Sequence, residues 1–427
     1  MRRLILPRVG CSRGWPRTSK WYLKPRFDAH RFYSSGLVSD EPLKILFCGT
    51  DSFSEVSLEA LHDYSKTSES RILSIDVVTR TDKRVGRGRK QVRAPAIKQA
   101  AGKRGLVVHQ IDTFTGWQPP TFGDTEKDPF NLIIAVSFGL LIPPRILGLA
   151  KYGGLNVHPS MLPDLRGPAP IEWSILLGRR TTGVSLQTLH PSRFDEGLVL
   201  DQTPQPGLDI PNPDTVTSKE LERYLAYIGA KMLVDAVKNG LYIPPYNSIQ
   251  PGRHISKENL IHAPKLTKEF RAVDFTQLTA TEISRRNRAC GPLYVFASSN
   301  TEPSQTRRIN LDTAMRTLDE GDIPGEVQAA AISIPKAVPY AIIGSHENIS
   351  ESDKPLIVNA KEDGDEGSQQ IVIPEVTVAA MARAPGAAAA ARAKFFAKPE
   401  VFGSFTLYRF SHPLTAQPTP TEGNGAS

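Results

Sequence analysis

Short, almost unbroken apolar runs that alternate with helix-patterned stretches constrain the fold of this chain more than any other feature. Lys44–Cys48 is such a run, closed by Gly49, and the stretch after it offers Ser52 or Ser54 as an N-cap and an amphipathic pattern through Leu61. Ile72–Thr79 and Leu132–Ser137 are further buried-strand candidates, with a helical stretch at Pro95–Arg104 and a short strand at Leu106–His109 between them. A strand that is apolar on both faces needs cover on both, and helices placed between such strands supply it. The pattern predicts an open, mostly parallel α/β sheet. In such a sheet the ligand crevice lies beyond the carboxyl ends of the strands.

Further along, Gly183–Leu189 and Gly197–Thr203 read as strands, and Asp214–Asn239 as a long helix capped at Thr215 or Thr217 and closed by Gly240. Pro244, Pro245 and Pro251 mark Leu241–Arg253 as a linker. The division is then a first domain over 42–240, the linker 241–253, a second domain over 254–412 and a tail over 413–427. Strands are predicted in the second domain at Pro292–Ala297, Arg308–Leu311 and Gln370–Pro374. Ser345–Ser368 has the acidic composition of a partly disordered segment, and the Ala-rich stretch Ala379–Ala397 reads as a helix interrupted around Pro385.

The net charge of +8 invites a nucleic-acid reading until its location is examined. Up to Ser34 the chain carries nine Lys and Arg residues against the single acid Asp28, so the excess sits at the N-terminus and the remainder is close to neutral. An Arg-rich, acid-poor stretch with Ser, Trp and Leu reads as a mitochondrial transit peptide over 1–34, the alternative being a basic RNA-binding arm. Cys11, Cys48 and Cys290 are too few and too scattered for a disulfide framework or a Cys-based zinc site, which fits a reducing compartment and predicts no metal. No apolar run reaches the length of about 18 residues that a bilayer span requires.

Chemistry concentrates in GGLNVHPSMLPDLRGPAPIEWSILLG, from Gly153 to Gly178, and FDEGLVLDQ, from Phe194 to Gln202. Asn156 and His158, two apart on a strand, share one face. An amide donor and an imidazole so placed reach one reacting carbonyl, and Asp195, from the following hairpin, can orient the ring or hold a proton-shuttling water. That suits tetrahedral chemistry at a carbonyl without a covalent nucleophile. A solitary His is more often a core or surface residue, and Asn156 alone would pass for a turn former; their shared company favours catalysis. Gly49-Thr50-Asp51-Ser52-Phe53 lacks both the Gly-x-Gly-x-x-Gly spacing and a Gly-Lys-Ser/Thr step, which disfavours a dinucleotide or ATP site. The run Arg80, Lys83, Arg84, Arg87, Arg89, Lys90 and Arg93, broken by Gly86 and Gly88, is a flexible cationic loop on the crevice side. Such runs are usually solvated surface, but this one can also track phosphates.

These segments resemble the folate-dependent formyltransferases. Asn156, His158 and Asp195 match that family's Asn, His and Asp, and Ser160–Pro163 (SMLP) looks like a variant of its Ser-Leu-Leu-Pro signature, with Pro159 where bacterial members commonly have Gly. KILFCGTDSFSEVSLEAL (44–61), TDKRVGRGRKQVRAPAIKQAA (81–101) and KLTKEFRAVDF (265–275) are similar to the branch that formylates methionyl-tRNA. The resemblance implies a Rossmann-like first domain of the formyltransferase fold and a C-terminal OB-like β-barrel that binds tRNA. It implies 10-formyltetrahydrofolate as donor and initiator methionyl-tRNA as acceptor; a monomer is expected, and the N-terminal segment and the cysteine usage point to the mitochondrial matrix. The catalytic residues would be Asn156, His158 and Asp195. Folate would be held by Ser137, Phe138, Gly139, Leu140, Ser160, Leu162, Pro163, Glu196 and Gly197, although LIIAVSFGLL (132–141) also reads as plain buried strand and turn. The tRNA contacts would be Lys83, Arg84, Arg87, Arg89, Lys90, Lys265 and Lys268. A formyltransferase acting on an amino sugar or a glycinamide nucleotide, and a non-catalytic tRNA-binding protein, are the alternatives.

Overall fold

Why the apolar runs become one sheet is visible in the computed structural model, which describes residues 41–119, 130–249, 260–301, 306–311, 315–317, 327, 330–331, 333–344, 355–360, 370–378, 381, 384–402 and 405–417. The candidate transit peptide, residues 250–253 of the linker, most of Ser345–Ser368 and the last ten residues of the tail lie outside the described residues. Strand β1 (Leu43–Gly49) is buried along nearly its whole length. It pairs in parallel with β2 (Ile72–Thr79) on one side and, further along the chain, with the equally buried β6 (Leu132–Val136) on the other.

Between them helix α1 (Ser52–Ser65) crosses over, capped by Asp51 and not by either serine. The Asp51 carboxylate accepts from Ser54 N at 3.0 Å, whereas Ser54 Oγ accepts from Thr50 N at 2.9 Å and donates to Asp51 O at 2.7 Å. The serine tightens the turn because its hydroxyl, too short to reach past its own backbone, finds both partners before the helix begins.

The cationic run forms a small antiparallel hairpin, β3 (Lys83–Val85) with β4 (Gln91–Arg93), before helix α2 (Ala96–Lys103). Its base is tied down by Lys98 on Asp82 at 2.8 Å and Arg80 on Asp112 at 3.1 Å. Strand β5 (Val108–Gln110) then joins β2 in parallel, and β6 is followed by the short helix α3 (Pro144–Leu147). Strand β7 (Gly154–His158) pairs in parallel with β6, and helix α4 (Pro170–Leu176) follows it. After a minor pair of strands, β8 (Thr181–Thr182) and the later β11 (Leu208–Asp209), strands β9 (Ser185–Thr188) and β10 (Val199–Gln202) extend the sheet antiparallel.

The seven strands run β10-β9-β7-β6-β1-β2-β5. The chain builds outward from β1 through β2 to β5 and then returns to β1's other edge, so the order reverses between β1 and β6. Crevices form at that point. Helix α5 (Ser218–Lys238), opened by a Thr217–Glu220 capping box, lies with α1 over one face. The start of the predicted linker packs on this domain, with Tyr242 1% exposed and Tyr246 Oη donating to Tyr152 O at 3.1 Å.

Beyond it, helix α6 (Ala280–Cys290) and strands β12 (Leu293–Ser298), β13 (Thr306–Leu311), β14 (Arg316–Thr317), β15 (Tyr340–Gly344), β16 (Leu356–Asn359), β17 (Gln370–Ile373), β18 (Glu375–Val378) and β19 (Ala384–Pro385) follow. Helix α7 (Gly386–Arg392), β20 (Glu400–Phe402) and β21 (Phe405–Arg409) complete the described elements. The strands form two open antiparallel sheets, β12-β13-β18-β19 and β14-β17-β16-β15-β21-β20, and the ladder that would close a barrel is not among the described pairings. Pro374, without an N–H, stands between β17 and β18, where the chain leaves one sheet for the other. Side chains of both sheets, among them Val295, Ile309, Val376, Tyr340, Val358 and Leu407, share one core.

Candidate active site

Strand alternation divides β7 between two environments. Leu155 and Val157 enter the core below α5, where Gly229 lets the helix approach: a Cβ there would come within 2.8 Å of Val157 Cγ1. Asn156 and His158 therefore face the other way. Asn156 is half-buried and His158 only 5% exposed. On the neighbouring antiparallel strand Gln187 stands opposite Asn156, and Ser185 opposite His158.

Both nitrogens of the His158 ring face acceptors. Nδ1 is 3.4 Å from Asp195 Oδ1, and Nε2 is 3.1 Å from Leu165 O. A neutral ring can donate to only one of them, and a doubly protonated ring to both. Asp195 lies in the β9–β10 loop at φ 54°, a left-handed backbone that non-glycine residues adopt at a cost. Its second oxygen accepts from Gly167 N at 3.0 Å, and Gln187 Nε2 approaches Oδ1 at 3.4 Å. Gly167, at φ 124°, has no room for a side chain, since a Cβ would sit 2.5 Å from Ala263 O.

The loop between β7 and α4 is braced from far along the chain. Leu165, also at φ 54°, donates its N–H to Ile261 O at 2.8 Å. Ile261 N donates to the buried Asp164 carboxylate at 3.0 Å, and Ala263 N to Arg166 O at 2.7 Å. Residues just after the linker thus hold the carbonyl that His158 meets.

Of the proposed folate residues, Ser137 and Gly139 are exposed, Phe138 is buried and Leu140 is half-buried at the end of β6, where Thr50 Oγ1 donates to Phe138 O at 3.2 Å. Ser160 and Leu162 are 1% and 3% exposed, and their polar groups are taken up by the loop itself and by the adjoining strands β9 and β10. Ser160 Oγ donates to Asp164 O at 2.8 Å, Leu162 N to Ser185 Oγ at 3.0 Å, and Gln202 Nε2 to Leu162 O at 2.9 Å. Pro163 follows Leu162 through a cis bond and is half-buried. Glu196 pairs with Arg193 at 2.7 Å. Gly197 has no alternative in this sheet, because a Cβ would lie 1.7 Å from Thr188 O.

Of the proposed tRNA residues, Lys83, Arg84, Arg89 and Lys90 are exposed on the hairpin, and Lys265 and Lys268 on the segment before α6. The side chain of Arg87 lies outside the described residues. The structure does not bring these two groups together within one element; they belong to separate stretches of surface. Near the mouth, burial and the neighbouring Glu222 raise the Asp51 carboxyl, and burial followed by Glu222 and Asp51 raises that of Glu172. Cys48, wholly buried at the end of β1, has its thiol pushed up by that burial, which makes it a poor nucleophile.

Sequence reasoning missed Gln187, 1% exposed, whose Oε1 accepts from Gly197 N at 3.2 Å while its amide turns to Asp195. The available signal was a glutamine in the strand-patterned stretch Gly183–Leu189, just before the segment that carries Asp195. It also missed Phe194 and Leu198, which flank the Asp195 turn and are 59% and 51% exposed.

Comparison with known proteins finds relatives of this chain. A family model for formyl transferases matches residues 43–237. The mitochondrial methionyl-tRNA formyltransferase of Bos taurus is 30% identical over 360 residues, covering 83% of this chain and 82% of that protein. That of Saccharomyces cerevisiae is 33% identical over 322 residues, covering 67% of this chain and 79% of its own. Among solved structures, WlaRD, a sugar 3N-formyl transferase crystallised in the presence of dTDP and 5-N-formyl-THF, aligns at 15% identity with a TM-score of 0.44, covering 80% of this chain and 99% of that one.

Proposed function

The chain belongs to the methionyl-tRNA formyltransferases, and we propose from that membership and the setting of His158 how its cleft carries out the reaction. The enzyme transfers the formyl group of a formyltetrahydrofolate to the α-amino group of methionyl initiator tRNA. The donor is assigned as the 10-formyl form, whose formyl carbon is an electrophile on an amide-like nitrogen.

The observation that carries the mechanism is an imidazole held between Asp195 and a backbone carbonyl, two residues along a strand from the amide of Asn156. The methionyl amine, once it has lost its proton, attacks the formyl carbon and creates an oxyanion on the former carbonyl oxygen and a positive charge on nitrogen. Asn156 donates to that oxyanion, and the protonated His158, held by Asp195, supports it electrostatically. Asp195 takes the excess proton from the amine nitrogen and passes it towards the folate nitrogen as the carbon–nitrogen bond to folate breaks. Holding both substrates at near-attack distance supplies much of the remaining acceleration.

Leu140, with Thr113, Phe114, Thr115 and Arg145, lines an open depression of about 220 Å³ that suits a flat heterocycle with a few polar groups at its edge. Leu162, Pro163 and Ser160 shape the loop from behind, and Glu196 and Gly197 complete the wall that Asp195 begins. Phe194 and Leu198 offer an apolar rim to a substrate side chain. The cationic hairpin and Lys265 and Lys268 take tRNA phosphates. The C-terminal sheets serve as the OB-like tRNA-binding part, and the enzyme acts as a monomer.

A formyl-transfer assay with charged initiator tRNA, an amino-sugar nucleotide and glycinamide ribonucleotide tests the assignment. Product is expected with the tRNA alone, and transfer to either small amine with none to tRNA would overturn it. The relatives named are mitochondrial, and we place this enzyme in the matrix with a mature N-terminus near Ser34 or Ser35. Mass spectrometry of protein recovered from mitochondria checks this, and an intact Met1–Arg31 stretch refutes it.

A further inference from the structure

Away from the cleft, two guanidinium groups sit over aromatic rings along one stretch of surface. Arg286 of α6 lies 4.5 Å from the centre of the Phe270 ring, and Arg308 of β13 lies 3.8 Å from that of Tyr294 in β12. The two are joined through the backbone. Ala272 bridges to Tyr294, and Val273 N donates to Tyr294 O at 3.0 Å. At its other end the stretch meets the catalytic half, where Phe270 packs 6.0 Å from Trp173 of α4.

The second of these sites is built on an open sheet face. Leu293, Val295 and Ala297 of β12 point into the C-terminal core, so Tyr294 and Phe296 stand half-exposed on the outer side. Their rings meet edge to face at 5.9 Å. Across the ladder Asn310 is opposite Tyr294 and Arg308 opposite Phe296, and Arg308 reaches diagonally over the tyrosine while donating from Nε to Asn310 Oδ1 at 3.0 Å. The exposed guanidinium is thus fixed before any partner arrives. Two cationic residues are tied to the ends of β12: Arg271, whose Nε donates to Pro292 O at 2.8 Å, and exposed Lys394, whose O accepts from Asn300 N at 3.0 Å.

A cross-strand aromatic–arginine pair contributes only modestly to sheet stability. A guanidinium plane backed by tyrosine and bordered by a second ring offers stacking for a heterocycle, and its outward N–H groups suit a phosphate. We propose that Tyr294, Phe296 and Arg308 form a stacking platform for unpaired nucleotides of the RNA substrate, distinct from the cationic hairpin at 83–93. The proposal rests on the methionyl-tRNA reading only for the identity of the RNA.

Steady-state formylation of methionyl-tRNA by Arg308→Lys and Tyr294→Leu tests it, alongside fluorescence anisotropy with a single-stranded hexaribonucleotide. Base–aromatic stacking implies a rise in KM for tRNA of roughly 5- to 150-fold, with the loss falling on KM and not on kcat. Tyr294→Phe, which keeps the ring, is expected to recover most of what Tyr294→Leu loses. Because Arg308→Lys keeps the charge, an unchanged KM in that variant overturns stacking in favour of a diffuse cationic surface. Equal competition for the hexamer by a fully paired RNA duplex overturns it as well. A wild-type enzyme that binds the hexamer through these residues but does not formylate methionyl-tRNA would refute the functional assignment and leave the platform standing.

Discussion

His158 lies where its ring has no freedom, between a carboxylate and a carbonyl, and that constraint makes its role testable. Substituting Asn156, His158 or Asp195 by Ala is expected to lower turnover by roughly 100- to 1,000-fold, the usual loss for one donor to a developing oxyanion, with tRNA affinity nearly intact. A His158→Ala enzyme of near-normal turnover would end the catalytic assignment. Gln187 acts one step removed, as a positioning residue, since it joins Asp195 to the backbone of Gly197. Gln187→Leu leaves the Gly197 N–H without its partner and lets the Asp195 turn relax, so kcat should fall on the order of tenfold. Gln187→Glu sets a second carboxylate beside Asp195, which disfavours a second negative charge and should move the acidic limb of the pH–rate profile upward. Loss of thermal stability with an unmoved profile would reduce Gln187 to a packing role.

The cationic hairpin shows how an element can be anchored and still present its charge. Lys98–Asp82 and Arg80–Asp112 fix its base, and Arg84, Arg89 and Lys90 stay exposed at its tip and sides. Replacing those three by Ala should raise KM for tRNA and lower the slope of log affinity against log salt by about 2 to 3, because fewer counterions are released. Binding of a folate analogue, measured by calorimetry, should stay as it was. An unaltered salt slope would make the hairpin merely solvated surface. The sheet strands, by contrast, carry their function through what they hide: burial of Leu155 and Val157 is what turns Asn156 and His158 towards the crevice.

Across the molecule, α4 links the α/β sheet to the C-terminal region through its packing on α5 and α6. Glu172 in α4 has its carboxyl raised by burial, by Glu222 and by Asp51. An acid with a raised folded pKa holds more protons folded than unfolded, so its favourable contribution is present below the unfolded carboxylate value and is lost as pH rises through the folded one. Glu172→Gln should therefore raise the melting temperature at pH 8 more than at pH 4, as followed by calorimetry. An equal change at both values would show that the charge is already relieved by solvent.

Which parts of this protein could be read from the chain follows from the range of the forces involved. Strand and helix periodicity, the reversal-prone α/β pattern and the Asn156–His158 spacing are local, set by alternation of apolar and polar residues within a few positions; Asp195 is legible through the family resemblance of its segment, and its contact with His158 is made by the fold. The N-cap of α1 was misplaced by one to three residues because Asp, Ser52 and Ser54 are all competent caps and only their geometry separates them. Nothing local announces that Ile261 and Ala263, roughly 100 residues on, brace the loop that meets His158, nor that Gln187 turns its amide to Asp195. Those contacts exist because the chain closes on itself. Neither the two open C-terminal sheets nor the aromatic–arginine face on one of them is encoded in a motif, since cross-strand register there is settled by burial of a core that gathers side chains from strands far apart in sequence.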